Sequence, residues 1–306
     1  MARYVLKRIL ISIFTLWIMF TLTFLLMNAV PGNPFLGDKP LPPNIVENLT
    51  KKYGLDKPLY VQYFNYGKNV LIGDLGMSIS KKSQSVSSII QRSFPYSARL
   101  GLVAVTFATI MGTFLGIIGA LKRNTLADRT VMFISTLGIA VPSFVLATTS
   151  IILFAVTFKI FPTYGLTTPA HYVLPGLALS LSPLAYITRL TRSTMLDVLN
   201  QDYIRTARAK GLSEKKVILK HALRNAILPV VTYLGPLIAG IITGTFIIEK
   251  IFAIPGLGRY FVDSITNRDY PVILGTTIFF GAILIVMNLL VDIAYVIVNP
   301  QIKLEN

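Results

Sequence analysis

His171 and His221 are the only imidazoles in the chain, and cysteine is absent. Without thiols there are no disulfides, thiolate metal sites or thiol nucleophiles. The two histidines fall on opposite sides of the membrane in the topology derived below, so they cannot share a metal or relay a proton. Asp292 lies inside an apolar run, where a carboxylate is by default a functional candidate. It is close enough to the end of that run to reach the interface or a basic partner, and the structural reading is preferred. Asn288, one turn earlier, suits a hydrogen bond between helices. Asn48-Leu49-Thr50 fits a glycosylation sequon and is read as a chance match. The sequence holds no Gly-x4-Gly-Lys-Ser/Thr phosphate loop, so it cannot hold ATP in the usual way. No Ser-His-Asp cluster, carboxylate pair or metal constellation falls within one leaflet. The chain is not read as an enzyme by itself.

The elements that would position these residues are set by composition. Of 306 residues 53% are hydrophobic and 14% charged, and the mean hydropathy is +0.65. Soluble chains are nearer a quarter charged. The apolar residues gather into six runs, 9–30, 100–121, 131–158, 172–187, 229–248 and 272–298, and a helix needs about 20 to cross a bilayer. The fourth run is short and flanked by Pro169, Pro175 and Pro183, which leaves a re-entrant segment as its alternative. The first follows Arg3, Lys7 and Arg8 like a signal peptide, but lacks a small-x-small cleavage site and is read as a retained span. Gly112-x3-Gly116-x3-Ala120 and Gly240-x3-Gly244 are small-x3-small patterns that permit close helix packing.

The net charge of +16 does not point to nucleic acid, because the basic residues lie between the apolar runs. With the N-terminus in the cytoplasm, the inner segments carry 16 Lys and Arg against 4 in the short outer segments. The outer segment 31–99 is too long to count under the positive-inside rule. Both termini are therefore expected in the cytoplasm.

Segment 31–99 reads as a small helical cap. Asn44-x-x-Glu47 has capping-box spacing, Ile45, Leu49 and Tyr53 follow at helical spacing, and Gly54 suits a left-handed close. A second helix is expected from Pro58 towards Ile72, then a turn at Gly73-Asp74-Leu75-Gly76. Val86, Ile89, Ile90 and Phe94 form an apolar stripe before Pro95.

The inner segment 188–228 is long for a loop between spans. Leu196, Leu199, Tyr203 and Ala207 fall on one helical face, and Gly211 breaks the pattern. Ser213 suits a cap on a second helix, with Glu214 in its first turn. Lys216, Lys220 and Arg224 line one side of that helix, and Val217, Ile218, Ala222 and Leu223 supply apolar contact. This pattern fits an interfacial helix on anionic membrane lipid or a docking element for a cytoplasmic protein, and by itself leaves both open.

Residues 202–213, Asp-Tyr-Ile-Arg-Thr-Ala-Arg-Ala-Lys-Gly-Leu-Ser, resemble the EAA loop of ABC importer permeases of the oligopeptide/dipeptide/nickel group. Ala207 and Gly211 match the second alanine and the glycine of the general pattern, and Leu223 matches its leucine. Arg205 and Thr206 replace the glutamate and first alanine, and His221 and Arg224 replace the isoleucine and proline. The variant continuation His-Ala-Leu-Arg-Asn-Ala stands at 221–226. The resemblance to the B-type permease extends along nearly the whole chain. It includes Asn28-x2-Pro31-Gly32-Asn33-Pro34, residues 53–59, Gly73-Asp74-Leu75-Gly76-x-Ser78, residues 255–258, Arg268-Asp269-Tyr270-Pro271 and residues 288–292.

The resemblance implies an all-α membrane protein of about six spans, the transmembrane domain of a type I ABC importer. The division would be an N-terminal helix at 1–30, an extracytoplasmic helical segment at 31–93 and a permease domain at 94–299 with its coupling loop at 195–228. It further implies that Ala207, Gly211, Leu212, Ser213, Glu214, Lys215, Lys216 and Leu223 form the ATPase-coupling loop. The implied partners are a second homologous permease subunit, two ABC ATPase subunits that use ATP and Mg, and an extracytoplasmic peptide-binding protein. No cofactor is expected on this chain. The same family also serves nickel and other small solutes, and a stand-alone channel or ion-coupled carrier is the reading from outside it.

Overall fold

A chain in hydrocarbon must satisfy its backbone N–H and C=O groups internally, so apolar runs of this length become helices. A computed structural model describes residues 2–30, 32, 34, 35, 42–81, 84–243 and 245–298. Its long helices are α1 (Ala2–Ala29), α4 (Val86–Leu121), α7 (Val173–Leu199) and α14 (Tyr270–Val298). The shorter ones are α2 (Pro43–Lys52), α3 (Leu59–Leu71), α5 (Leu126–Ala140), α6 (Ser143–Ser150), α8 (Asp202–Ala209), α9 (Glu214–Lys216), α10 (Leu223–Ala226), α11 (Leu228–Ile242), α12 (Phe246–Ile251) and α13 (Leu257–Thr266). Among the described residues the only β-type pairing is an isolated bridge between Met77 and Ser85.

Three proline positions depart from expectation. The third run is not one straight span. It breaks between α5 and α6 with a bend of 100°, because Pro142 drives Val141 out of the helical region to ψ 121°. The fourth run, in contrast, is part of a 27-residue helix that contains Pro183. The break therefore belongs to the third run, and the re-entrant alternative for the fourth falls away. Pro95 does not separate the apolar stripe from the second span either. It sits inside the 36-residue α4, where Val86, Ile89 and Ile90 are buried and hold the first turns in place.

Among the described residues five helical spans are long and apolar enough to cross a membrane, and the bent pair, counted as one span, makes a sixth. Chain geometry decides the count. The last turns of α1 and the first turns of α14 pack together through Phe24 and Leu274, so both ends lie on the same side. An even number of crossings must separate them, and with α4, α7 and α11–α12 each crossing once the bent pair supplies the fourth.

The structure divides into two units, Met1–Pro95 with Pro255–Ile283, and Tyr96–Ile254 with Leu284–Asn306. In the first, the expected capping box does not form. Pro42 and Pro43 start α2, and Glu47 instead pairs with Lys51 at 2.6 Å. The helix closes as expected, with Gly54 at φ +67° and Leu55 N donating to the Thr50 carbonyl at 2.9 Å. On α3, Tyr63 and Tyr66 stack on Phe20 of α1 at 4.9 and 5.9 Å.

The separate runs that carry the resemblance meet in this unit around Asp269, which is 1% exposed. Its carboxylate accepts hydrogen bonds from the Ser78 and Ser80 hydroxyls and from the Ile79 and Ser80 backbone N–H groups. The Tyr53 hydroxyl donates to the Ser78 carbonyl at 3.0 Å. The Tyr66 hydroxyl lies 3.2 Å from the Leu75 and Pro271 carbonyls. Gly32 lies so close to Arg268 that a Cβ there would collide with its guanidinium. Asp269→Ala is expected to cost on the order of 3 kcal/mol, because it strands buried donors that now share a charged acceptor. The check is the thermal midpoint of the purified protein. A fall no larger than that of Ser80→Ala would mean that other contacts hold the loop.

In the second unit α4 lies close against α7. A Cβ on Gly112 would meet the Leu184 carbonyl at 2.9 Å, and one on Gly116 the Thr188 carbonyl at 2.7 Å. The first small-residue pattern is thus a packing seam. The second is not seen to be one: a Cβ on Gly240 would meet nothing within 4 Å, and Gly244 lies outside the described residues. Gly101 instead approaches the Ile242 backbone, and Gly235 approaches Val291 and the Asn288 Oδ1. Glu249, the first residue after the fifth apolar run, is 1% exposed and accepts a hydrogen bond from Ser97 at 2.6 Å. The side chain of Asp292 lies outside the described residues.

Candidate functional site

Segment 195–228 starts in the last turns of α7, where Met195 is fully buried. The helix stops at Asn200, and Gln201 turns to an extended conformation before α8. That turn divides the expected single face. Leu196 and Leu199 stay in α7, while the register of α8 is reset, so Ile204 and Ala207 are buried and Tyr203 is 42% exposed. Tyr203 instead accepts a hydrogen bond from the Asn225 amide at 2.8 Å, which ties α8 to α10.

Gly211 stands at φ +73° and closes α8. Its N–H donates to the Arg208 carbonyl at 2.9 Å, and Leu212 N to the Ala207 carbonyl at 3.4 Å. A left-handed residue is required there, and glycine adopts it without a steric penalty. Ser213 precedes α9 in an extended conformation, but its side chain makes no capping bond. Glu214 reaches back to Arg208 at 2.8 and 3.4 Å, so the ion pair spans the glycine turn. Both side chains are largely exposed, and such a pair contributes little stability.

Beyond α9 the helix widens into a π-helical turn, Val217–Ala222, before α10. Widened turns of this kind frequently mark functional sites. Here the wider spacing turns both Val217 and Ala222 inward, each 0% exposed. They join Ala120, Met195, Ile204, Ala207 and Ala226 in one cluster, with Leu212, Ile218 and Leu223 packed at its edge. The other side carries exposed Lys215, Lys216 and Lys220, with Leu219 at 51% exposure between them. The structure therefore spreads the expected loop residues over α8, the glycine turn, α9 and α10, and adds an exposed leucine to the basic face.

Sequence reasoning missed what holds this element. Thr194 donates to the Ala226 carbonyl at 2.8 Å, closing the loop on itself. One turn from Met195, Arg192 makes a two-pronged pair with Asp128, Nε to Oδ1 at 2.6 Å and Nη2 to Oδ2 at 2.7 Å. Asn124 N donates to the same carboxylate at 2.9 Å, and the pair lies on Gly119 of α4. The node joins α4, α5 and α7 beside the loop cluster. Its partners are 64 residues apart, and no local pattern announces them. Among the described residues no group of three His, Asp or Glu is placed to hold a metal ion.

Comparison with known proteins identifies the family. The dipeptide transport system permease protein DppB of Bacillus subtilis (strain 168) is 52% identical over 100% of this chain and 99% of its own length. The oligopeptide transport system permease protein OppB of Escherichia coli (strain K12) is 44% identical over 99% of this chain and all of its own. The fold is also that of a chain of the inward-facing MetNI methionine ABC transporter, with a TM-score of 0.55 at 18% identity, covering 70% of this chain and 97% of that one. Residues 1–101 match the N-terminal component of binding-protein-dependent transport system membrane proteins. Residues 112–304 match the binding-protein-dependent transport system inner membrane component, and the chain belongs to that family.

Proposed function

We propose that this chain is one permease subunit of an ATP-driven importer of di- and oligopeptides. End-to-end identity of 52% with a dipeptide permease carries this reading. The chain supplies about half of a pathway completed by a second homologous permease, with both termini in the cytoplasm. ATP and Mg are held by two partner ATPase subunits, and an extracytoplasmic peptide-binding protein delivers cargo.

Segment 195–228 couples the two layers. Its exposed face, Lys215, Lys216, Leu219 and Lys220, docks on the ATPase. Its buried face carries the movement to α4 and α7 through Ala120 and Met195. Uptake of labelled di- to hexapeptides, and of nickel, in cells with and without the gene tests the cargo. Loss of peptide uptake alone is expected. Loss of nickel uptake with peptides unaffected would overturn the substrate and leave the coupling argument standing.

A further inference from the structure

Helix α3 lies in a segment read from sequence as a cap, but its contacts place it deeper. Tyr63 and Tyr66 stack on Phe20 of α1, Tyr63 meets Phe24 edge-on at 5.4 Å, and the Tyr63 hydroxyl lies 2.8 Å from Thr21 Oγ1. The apolar part of α1, Arg8–Ala29, has 22 residues. At 1.5 Å per residue it is about 33 Å long, against about 30 Å of hydrocarbon. It therefore has little room to slide outward without drawing Arg8 into the bilayer. Phe24 and Phe20 stand about 8 and about 14 Å from the Ala29 end of α1, so both are at membrane depth. A second span agrees. Leu274 and Ile278, in the same cluster as Tyr63 and Tyr66, lie about 6 and about 12 Å from the start of α14.

The residues of α3 are arranged for that depth. Tyr63 and Tyr66 face the spans, with Gly67 close beside Phe20. Beside them Tyr60, Phe64 and Leu71 share the next strip of surface, at 68%, 68% and 89% exposure. Gln62, Asn65, Lys68 and Asn69 occupy the remaining arc. An amphipathic helix with tyrosines along its apolar half is the pattern of a helix lying in a membrane interface, its apolar side sunk roughly 5–10 Å.

We propose that α3 is seated in the bilayer interface at the C-terminal end of α1, with the Tyr60, Phe64 and Leu71 strip against lipid acyl chains. Through the Tyr66 hydroxyl and the Leu75 and Pro271 carbonyls, this seat fixes the Asp269 loop at the membrane surface. The inference rests on α1 and α14 as spans and is independent of the cargo.

The chain has no cysteine, so Phe64→Cys and Asn69→Cys each place a single thiol-linked fluorophore on it. Phe64 is exposed and meets the packing on α1 only through an edge contact with Tyr63 at 5.4 Å, so the Tyr63–Phe20 stack stays in place when it is replaced. The assembled transporter is reconstituted in phosphatidylcholine vesicles, with the unsubstituted chain as blank for labelling of other subunits. Spin-labelled lipid is expected to quench the label at 64 several-fold more than aqueous iodide does, and the order is expected to reverse at 69. Equal iodide quenching at both positions would put the strip in water and overturn the proposal. Protection of position 64 from both quenchers would mean that protein covers it, and would overturn the proposal as well.

Discussion

Gly211→Pro is expected to abolish transport while leaving the protein in the membrane at its normal level. The residue sits at φ +73°, whereas proline is held near −65°. Proline also lacks the N–H that now bonds the Arg208 carbonyl. The native turn would be lost at a cost on the order of 3 kcal/mol, about a hundredfold in any equilibrium that needs it. The loss stays local, because Gly211 is exposed and a Cβ there would meet nothing within 4 Å. Gly211→Ala isolates the backbone requirement from the sterics. It costs about 1–2 kcal/mol for the left-handed conformation and should weaken coupling without ending it. The measurements are peptide uptake, membrane abundance, and ATPase subunits retained on purification. Wild-type uptake by the proline variant would remove the loop from the coupling path.

The sequence made this turn legible because a glycine requirement is local: it depends on one residue's own backbone. Span positions were legible for the same kind of reason, since apolar length is a local property. The prolines were not. Pro142 breaks its helix, while Pro95 and Pro183 sit inside theirs, and nothing in the local sequence separates the two outcomes. The Asn44–Glu47 box failed because two prolines had already fixed the start of α2. The inversion of Tyr203 and Ile204 followed from a turn at Asn200–Gln201 that carries neither glycine nor proline. Asp269 stood inside a quoted motif and Ser78 in another, yet neither run shows that they bond across 191 residues. Their meeting is a property of the folded unit.

Asp128 and Arg192 test that kind of information most directly. Asp128→Ala is expected to cost about 3–5 kcal/mol, since it leaves a guanidinium at 22% exposure without its carboxylate. Arg192→Ala should cost as much, because the stranded Asp128 side chain is only 5% exposed. The double replacement Asp128→Leu/Arg192→Met should cost less than either single change, because it removes both charges and keeps apolar volume. Thermal midpoints of the purified protein give the comparison, and simple additivity would show that the two residues act separately. Transport adds a second readout. The pair joins the turn at Asn124 and the start of α5 to α7, one turn from Met195 in the loop cluster. If that connection carries movement from the loop, the double variant will recover stability and still transport poorly per ATP hydrolysed. If it only braces the fold, stability and transport will return together.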